Sequence, residues 1–246
     1  MFLSRLLRIR PLLENQTGRY LLYAAGETIL IVLGILIALQ IDSWNQDRQD
    51  QKAELSYMQS LIEDLEIDIE EADGVLAALR NHIDATQDLA EMLADPEVVS
   101  NSNEAYALWT NNMGFPDFLS NDRTLRQLKS DGGFSLIQTQ RVTVSIIEYE
   151  RLLKEFYGQQ EICNQLLIQQ GPYLQLFDTV AMAQTPTSPV PLTEAGKRGL
   201  SQAYTDRKLW MLALVGLVRR LEAVRSASAE LATLIQTEYA LLHPGL

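Results

Sequence analysis

The chain has 246 residues, 47% of them apolar and 21% charged, which suffices for one packed domain with appendages and argues against disorder. Its formal charge is −12, and beyond residue 41 there are 30 acidic against 16 basic residues, a local −14 that repels nucleic-acid backbones and anionic lipid heads. Nucleic acid is therefore not an expected partner, and Cys163, the single cysteine, has nothing within the chain to pair with.

Residues 1–19 carry Arg5, Arg8, Arg10 and Arg19 against Glu14, and the arginines alternate with Phe2, Leu3, Leu6, Leu7 and Ile9. This suits a basic amphipathic segment lying on an anionic cytoplasmic leaflet, or a flank that only sets topology. Residues 20–41, YLLYAAGETILIVLGILIALQI, would span about 33 Å as a helix, against a hydrocarbon core of about 30 Å. Twelve Leu, Ile and Val side chains, at roughly −0.3 to −0.6 kcal/mol each, outweigh the single acid Glu27, which costs at most about 3 kcal/mol. A transmembrane helix is predicted. No small-x-small cleavage site follows it, so it is read as a retained signal anchor. Arginines before the span and Asp42, Asp47 and Asp50 after it place the N-terminus in the cytoplasm and residues 42–246 in the periplasm.

Within the span, Glu27 can pair with a polar group of another membrane helix, or stay protonated and bond locally. Gly34 and Ala38 form a small-xxx-small pair that admits a second helix closely. Glu27, Gly34 and Ile41 recur every seven residues and so share a face. Glu27, Gly34 and Ala38 are the expected contact residues for a partner helix, and Trp44 is the expected interface anchor.

No proline occurs between Pro11 and Pro96, so the span is predicted to run on into the next helix. There Leu55, Met58, Ile62, Leu65, Ile69, Ala72, Leu76, Leu79 and Ile83 form a heptad seam, with Glu63, Asp64, Glu66, Asp68, Glu70, Glu71 and Asp73 as its wet face. After a break at Asp95-Pro96, short helices are predicted around 105–113 and 122–129. Ser120-Asn121 caps the second and Asp131-Gly132-Gly133 ends it. A long helix then aligns Val142, Ile146, Tyr149, Leu153, Phe156, Cys163 and Leu167, with Gln160 interrupting, and stops at Gly171-Pro172. Residues 184–193 hold three prolines and read as an exposed loop. The last helix begins near Ser201 and carries Leu214, Leu217, Leu221, Val224, Leu231 and Ile235, with Ser228 in register. Its ten-residue apolar run, Leu209–Val218, is too short to span a bilayer and is either a core face or a docking surface.

The expected fold is all-α: one N-terminal transmembrane helix continuing into an extramembrane up-down bundle, with the short pair capping one end. A parallel coiled-coil dimer through the heptad seam is the rival.

His82 and His243 are the only histidines, which leaves no set for a multi-imidazole zinc site or most acid-base triads. His82 is expected to be solvated, and Cys163 to be an inert core thiol. No catalytic residue, metal site or cofactor is predicted.

Two stretches carry a family resemblance. The first runs from Leu21-Leu22-Tyr23-Ala24-Ala25-Gly26-Glu27 through Gly34-Ile35-Leu36-Ile37-Ala38-Leu39-Gln40 to Trp44-Asn45. The second is Thr124-Leu125-Arg126-Gln127-Leu128-Lys129-Ser130-Asp131-Gly132-Gly133-Phe134-Ser135-Leu136-Ile137, followed by Ile147-Glu148-Tyr149. Together they resemble a family of single-span bacterial inner-membrane proteins catalogued as a domain of unknown function. The resemblance implies a bitopic protein with a helical outer domain and supplies no activity.

The expected function is a non-catalytic accessory or scaffold subunit of a larger bacterial inner-membrane complex, respiratory, photosynthetic or envelope. Its partners would be the lipid bilayer and other membrane-protein subunits, or further copies of itself. The alternative is a periplasmic small-ligand sensor acting through a partner protein, and an enzyme is the third class.

Overall fold

The computed structural model describes residues 16–95, 97, 99, 103–169, 176–178 and 192–242. The N-terminal segment 1–15, Gly171-Pro172, the loop residues 184–191 and His243 lie outside the described residues. Those described form helices α1 (Gln16–Leu93), α2 (Asn103–Asn111), α3 (Arg123–Ser130), α4 (Gln140–Gln169) and α5 (Glu194–Leu242), with a 3₁₀ turn at Gly133–Leu136. No strand occurs among them, only an isolated bridge between Phe177 and Leu192. Contacts divide the chain into two units, Met1–Glu54 and Leu55–Leu246.

In the first unit, α1 is unbroken, as the lack of proline allows, and it is long and apolar enough to cross a membrane by length and composition. All side chains described between Tyr20 and Ile41 are exposed, including Leu30 and Ile37. Among the described residues nothing within the unit covers this surface.

In the second unit, Met58, Leu61, Leu65, Ala72, Leu76 and Leu79 of α1 pack with the predicted faces of α4 and α5. The predicted seam enters the core through Met58, Leu65, Ala72, Leu76 and Leu79. Leu55, Ile62, Ile69 and Ile83 are only half-buried, whereas Leu61, Asp64 and Asp68 are buried. A coiled-coil seam serves one neighbour, but this helix meets several, and its inward stripe widens accordingly. The stripe that could have zipped two copies together is occupied by helices of the same chain.

Residue pairs fix the course of the chain. Asp73 meets Arg225 at 2.9 Å and Arg80 meets Glu222 at 2.8 Å, so α1 and α5 run antiparallel. Arg141 meets Glu238, and Gln159 donates to the Ala213 carbonyl at 2.9 Å, so α4 and α5 do too. Between α1 and α4 the chain returns alongside α1: Asn112 meets Thr86, Asn121 meets Asp68, and Asp131 meets Tyr57. The short helices therefore lie along a returning limb and do not cap one end together. α3 joins the main core through Leu125 and Leu128. α2 joins a second cluster, in which Ala105 and Trp109 pack with Leu89 and Leu93 of α1, the Leu176-Phe177 segment, Leu192, and Leu200 and Ala203 of α5.

The structure departs from three local expectations. The polar residue in the inner face of α4 is Gln159; Gln160 sits at the edge and reaches Asp117. The last helix starts at Glu194, not near Ser201, because the Thr193 hydroxyl accepts the Gly196 N–H at 2.8 Å and caps it. Leu192, assigned to an exposed loop, is buried. At the end of α3, Gly132 takes φ +67°, the left-handed conformation that only glycine adopts freely, and a Cβ on Gly133 would lie 2.8 Å from Leu128 Cδ2. The predicted Asp-Gly-Gly stop thus does two separate jobs.

Candidate functional site

Three groupings could carry function: one face of the apolar helix and two buried polar clusters. On α1, Glu27, Gly34, Ala38 and Trp44 are all exposed. A Cβ on Gly34 would meet nothing within 4 Å, so the helix presents bare backbone there. Glu27 and Gly34 are seven residues apart on the same side, with Ala38 one turn further on. The Arg48 guanidinium stands 5.1 Å from the Trp44 ring centroid, a cation–π contact one turn along.

The first buried cluster overturns the reading of the acidic run as a wet face. Glu63, Glu66, Glu70, Glu71 and Asp73 are exposed, but Asp64 and Asp68 are each only 1% exposed. Asp64 Oδ2 accepts the Thr124 backbone N–H at 2.9 Å, and its Oδ1 accepts Asn121 Nδ2 at 2.8 Å and Arg123 at 3.1 Å. Asp68 Oδ1 accepts the Asn121 N–H at 2.7 Å, and its Oδ2 accepts the Tyr149 hydroxyl at 2.5 Å. Ser120 completes the cluster: its Oγ lies 3.2 Å from Tyr149 Oη, and its N–H donates to Tyr157 Oη at 3.0 Å. Burial, and then the charge of Asp68, push the Tyr149 phenol far above its ordinary pKa, so it stays a donor.

All four carboxylate oxygens thus accept from protein donors and lock α1 to the chain around α3 and to α4. This lock also replaces the predicted cap. Asp122 occupies the N-cap position of α3 without a side-chain cap hydrogen bond, and the orphan Thr124 N–H goes to the Asp64 carboxylate of α1 instead. The signal was present in the spacing: Leu61, Asp64, Leu65, Asp68 and Ala72 continue one 3-4 stripe, and only the acid residue type pointed outward.

The second buried cluster surrounds Arg207, which is 2% exposed. Its guanidinium lies 4.4 Å from the Trp109 ring centroid and 5.3 Å from that of Trp210, and Nη1 donates to the Asn112 carbonyl at 2.9 Å. Asn112 in turn accepts from Thr86 at 3.0 Å. Burial alone lowers the Arg207 pKa to about 10. His82, expected to be solvated, is half-buried with its ring edge-on to Trp210 at 5.2 Å. Its pKa is lowered by burial and, secondarily, by Arg207. His82 Nε2, Arg207 Nε and Trp210 Nε1 are buried without a hydrogen-bond partner. Arg207 lies just before the apolar run Leu209–Val218, and Ala203, Arg207, Trp210 and Leu214 share the core spacing.

Cys163 is buried on the inner face of α4, and burial pushes its thiol up to about 11. At pH 8 about one thiol in a thousand would then be ionised. Iodoacetamide is expected to leave the native chain unmodified over an hour and to label it fully in denaturant, as read by intact mass. Native labelling at the rate of a free thiol would place Cys163 outside the core. No group of three or more His, Cys, Asp or Glu side chains suited to a metal ion occurs among the described residues.

Residues 27–166 match the model of a family described only as of unknown function, a stretch that contains the whole Asp64–Asp68 lock and stops before Arg207 and Trp210. No curated protein and no solved structure matches the chain.

Proposed function

The chain belongs to the DUF6090 family of unknown function, and on that premise we propose that it is a membrane-anchored, non-catalytic accessory or scaffold subunit of a larger bacterial inner-membrane complex, respiratory, photosynthetic or envelope. The observation that carries this reading is the exposed apolar stretch of α1, residues 20–41. So large an apolar surface is not left in water; lipid or protein covers it. In lipid, Glu27 requires a polar partner or its own proton, and it lies on the same face as the bare backbone of Gly34. A second helix seated there would satisfy both. The N-terminus is cytoplasmic in this reading and residues 42–246 are periplasmic.

The test uses the full chain in a Gram-negative host. The chain is expected to remain in membranes after alkaline carbonate washing, and to crosslink in mild detergent to neighbouring subunits or to copies of itself. Gly34→Leu should leave insertion intact and lower the crosslinked yield roughly fivefold or more. A chain released by carbonate would sink the anchoring, and a purely monomeric, uncrosslinked species would sink the docking.

The second reading, a periplasmic small-ligand sensor acting through a partner, is favoured by one observation, the buried cation Arg207 with unpartnered donors beside it.

A further inference from the structure

We propose that the interior of the second unit binds a small anion, a halide or the carboxylate of a small acid, held by the Arg207 guanidinium and the Trp210 indole N–H. The inference holds whether or not the chain docks onto a membrane complex, and it goes beyond that reading.

A guanidinium removed from water normally brings an anion with it, because desolvation strongly disfavours a lone charge. Arg207 is 98% removed from solvent, yet no carboxylate of the described residues forms an ion pair with it, in a unit otherwise rich in acids. What it has is one backbone carbonyl, of Asn112, and the faces of Trp109 and Trp210. These stabilise part of the charge and leave Nε without an acceptor. Trp210 is fully buried, and its Nε1, a group that can only donate, is likewise without an acceptor. Two buried donors on residues one turn apart therefore lack the same thing. His82 Nε2, beside Trp210, can complete the set as a third donor in the tautomer that carries its proton there.

A buried water would answer the hydrogen bonds but not the charge; an anion answers both. Arg207 lies between the two apolar clusters, reaching Trp109 of one and Trp210 of the other, so an anion there would be walled by indole and aliphatic groups.

The experiment takes the full chain in detergent, exchanged into sodium gluconate, whose anion is too bulky for an enclosed interior. Sodium chloride, bromide and acetate are titrated at constant ionic strength while the melting temperature and tryptophan emission are followed. A saturable rise of roughly 5 °C is expected, and bromide should quench the buried tryptophan emission over the same range. If acetate acts at lower concentration than the halides, the occupant is a carboxylate ligand; the reverse order assigns an inorganic ion. Arg207→Gln should abolish the response. If that variant does not fold, Trp210→Phe keeps the ring and removes the donor, and should weaken the response about tenfold. Indistinguishable curves for gluconate and all three anions would overturn the proposal, as would a wild-type response in the folded variants.

Discussion

Asp64→Ala is expected to cost about 3–5 kcal/mol of unfolding free energy, seen as a melting temperature lower by roughly 10 °C. The carboxylate is buried and accepts three donors: the Thr124 N–H, the Asn121 side-chain amide and Arg123. A hydrogen bond to a charged group contributes about 1.5–3 kcal/mol, and the Thr124 N–H would be left buried and unsatisfied. The Arg123 contact adds little, because its side chain is 68% exposed and screened. Alanine also withdraws a negative charge from the start of α3. Asp64→Asn, which keeps one acceptor oxygen, should lose about half as much. Glu63→Ala, one residue away and exposed, is the control and should change stability by less than about 0.5 kcal/mol. Chemical denaturation of the three variants decides the matter. Equal losses for Asp64 and Glu63 would mean that the lock holds nothing.

Gly196→Ala should cost about 3 kcal/mol, although alanine is ordinarily the better helix former. A Cβ at Gly196 would stand 2.2 Å from the Leu176 carbonyl oxygen and 3.0 Å from its carbon, both backbone atoms. The segment would have to move, and with it the Thr193 N–H bond to the Leu176 carbonyl at 3.0 Å and the Phe177–Leu192 bridge. Gly199→Ala supplies the contrast on the same helix. Its nearest contact is Leu176 Cδ2 at 4.0 Å, so it should stabilise by up to about 1 kcal/mol. Opposite signs for two identical substitutions three residues apart are the expected result in thermal melts. Equal signs would show that the Leu176 segment does not seat on the first turn of α5.

The helices were legible because helical period and proline placement are local properties. The continuity of α1 follows from eighty-four proline-free residues between Pro11 and Pro96, and the inner faces of α4 and α5 from 3-4 spacing that persists over several turns. The stop at Gly132-Gly133 and the core position of Cys163 belong to the same class. The apolar segment is a matter of composition, and the shared side of Glu27 and Gly34 follows from their seven-residue spacing alone.

What the sequence by itself determined, then, is which stretches coil and which side of each is apolar, since both depend on neighbours within about four positions along the chain. Only the tertiary structure decided that Asp64 and Asp68 face inward, that a carboxylate some sixty residues upstream caps α3, and that Arg207 sits between two indoles. Charge biases a residue type toward solvent, but a buried acid is stabilised once several donors converge on it, and those donors here come from Asn121, Thr124 and Tyr149. The reason is physical: a hydrogen-bonding demand is written at one position, while its satisfaction comes from chain that folding alone brings within 3 Å.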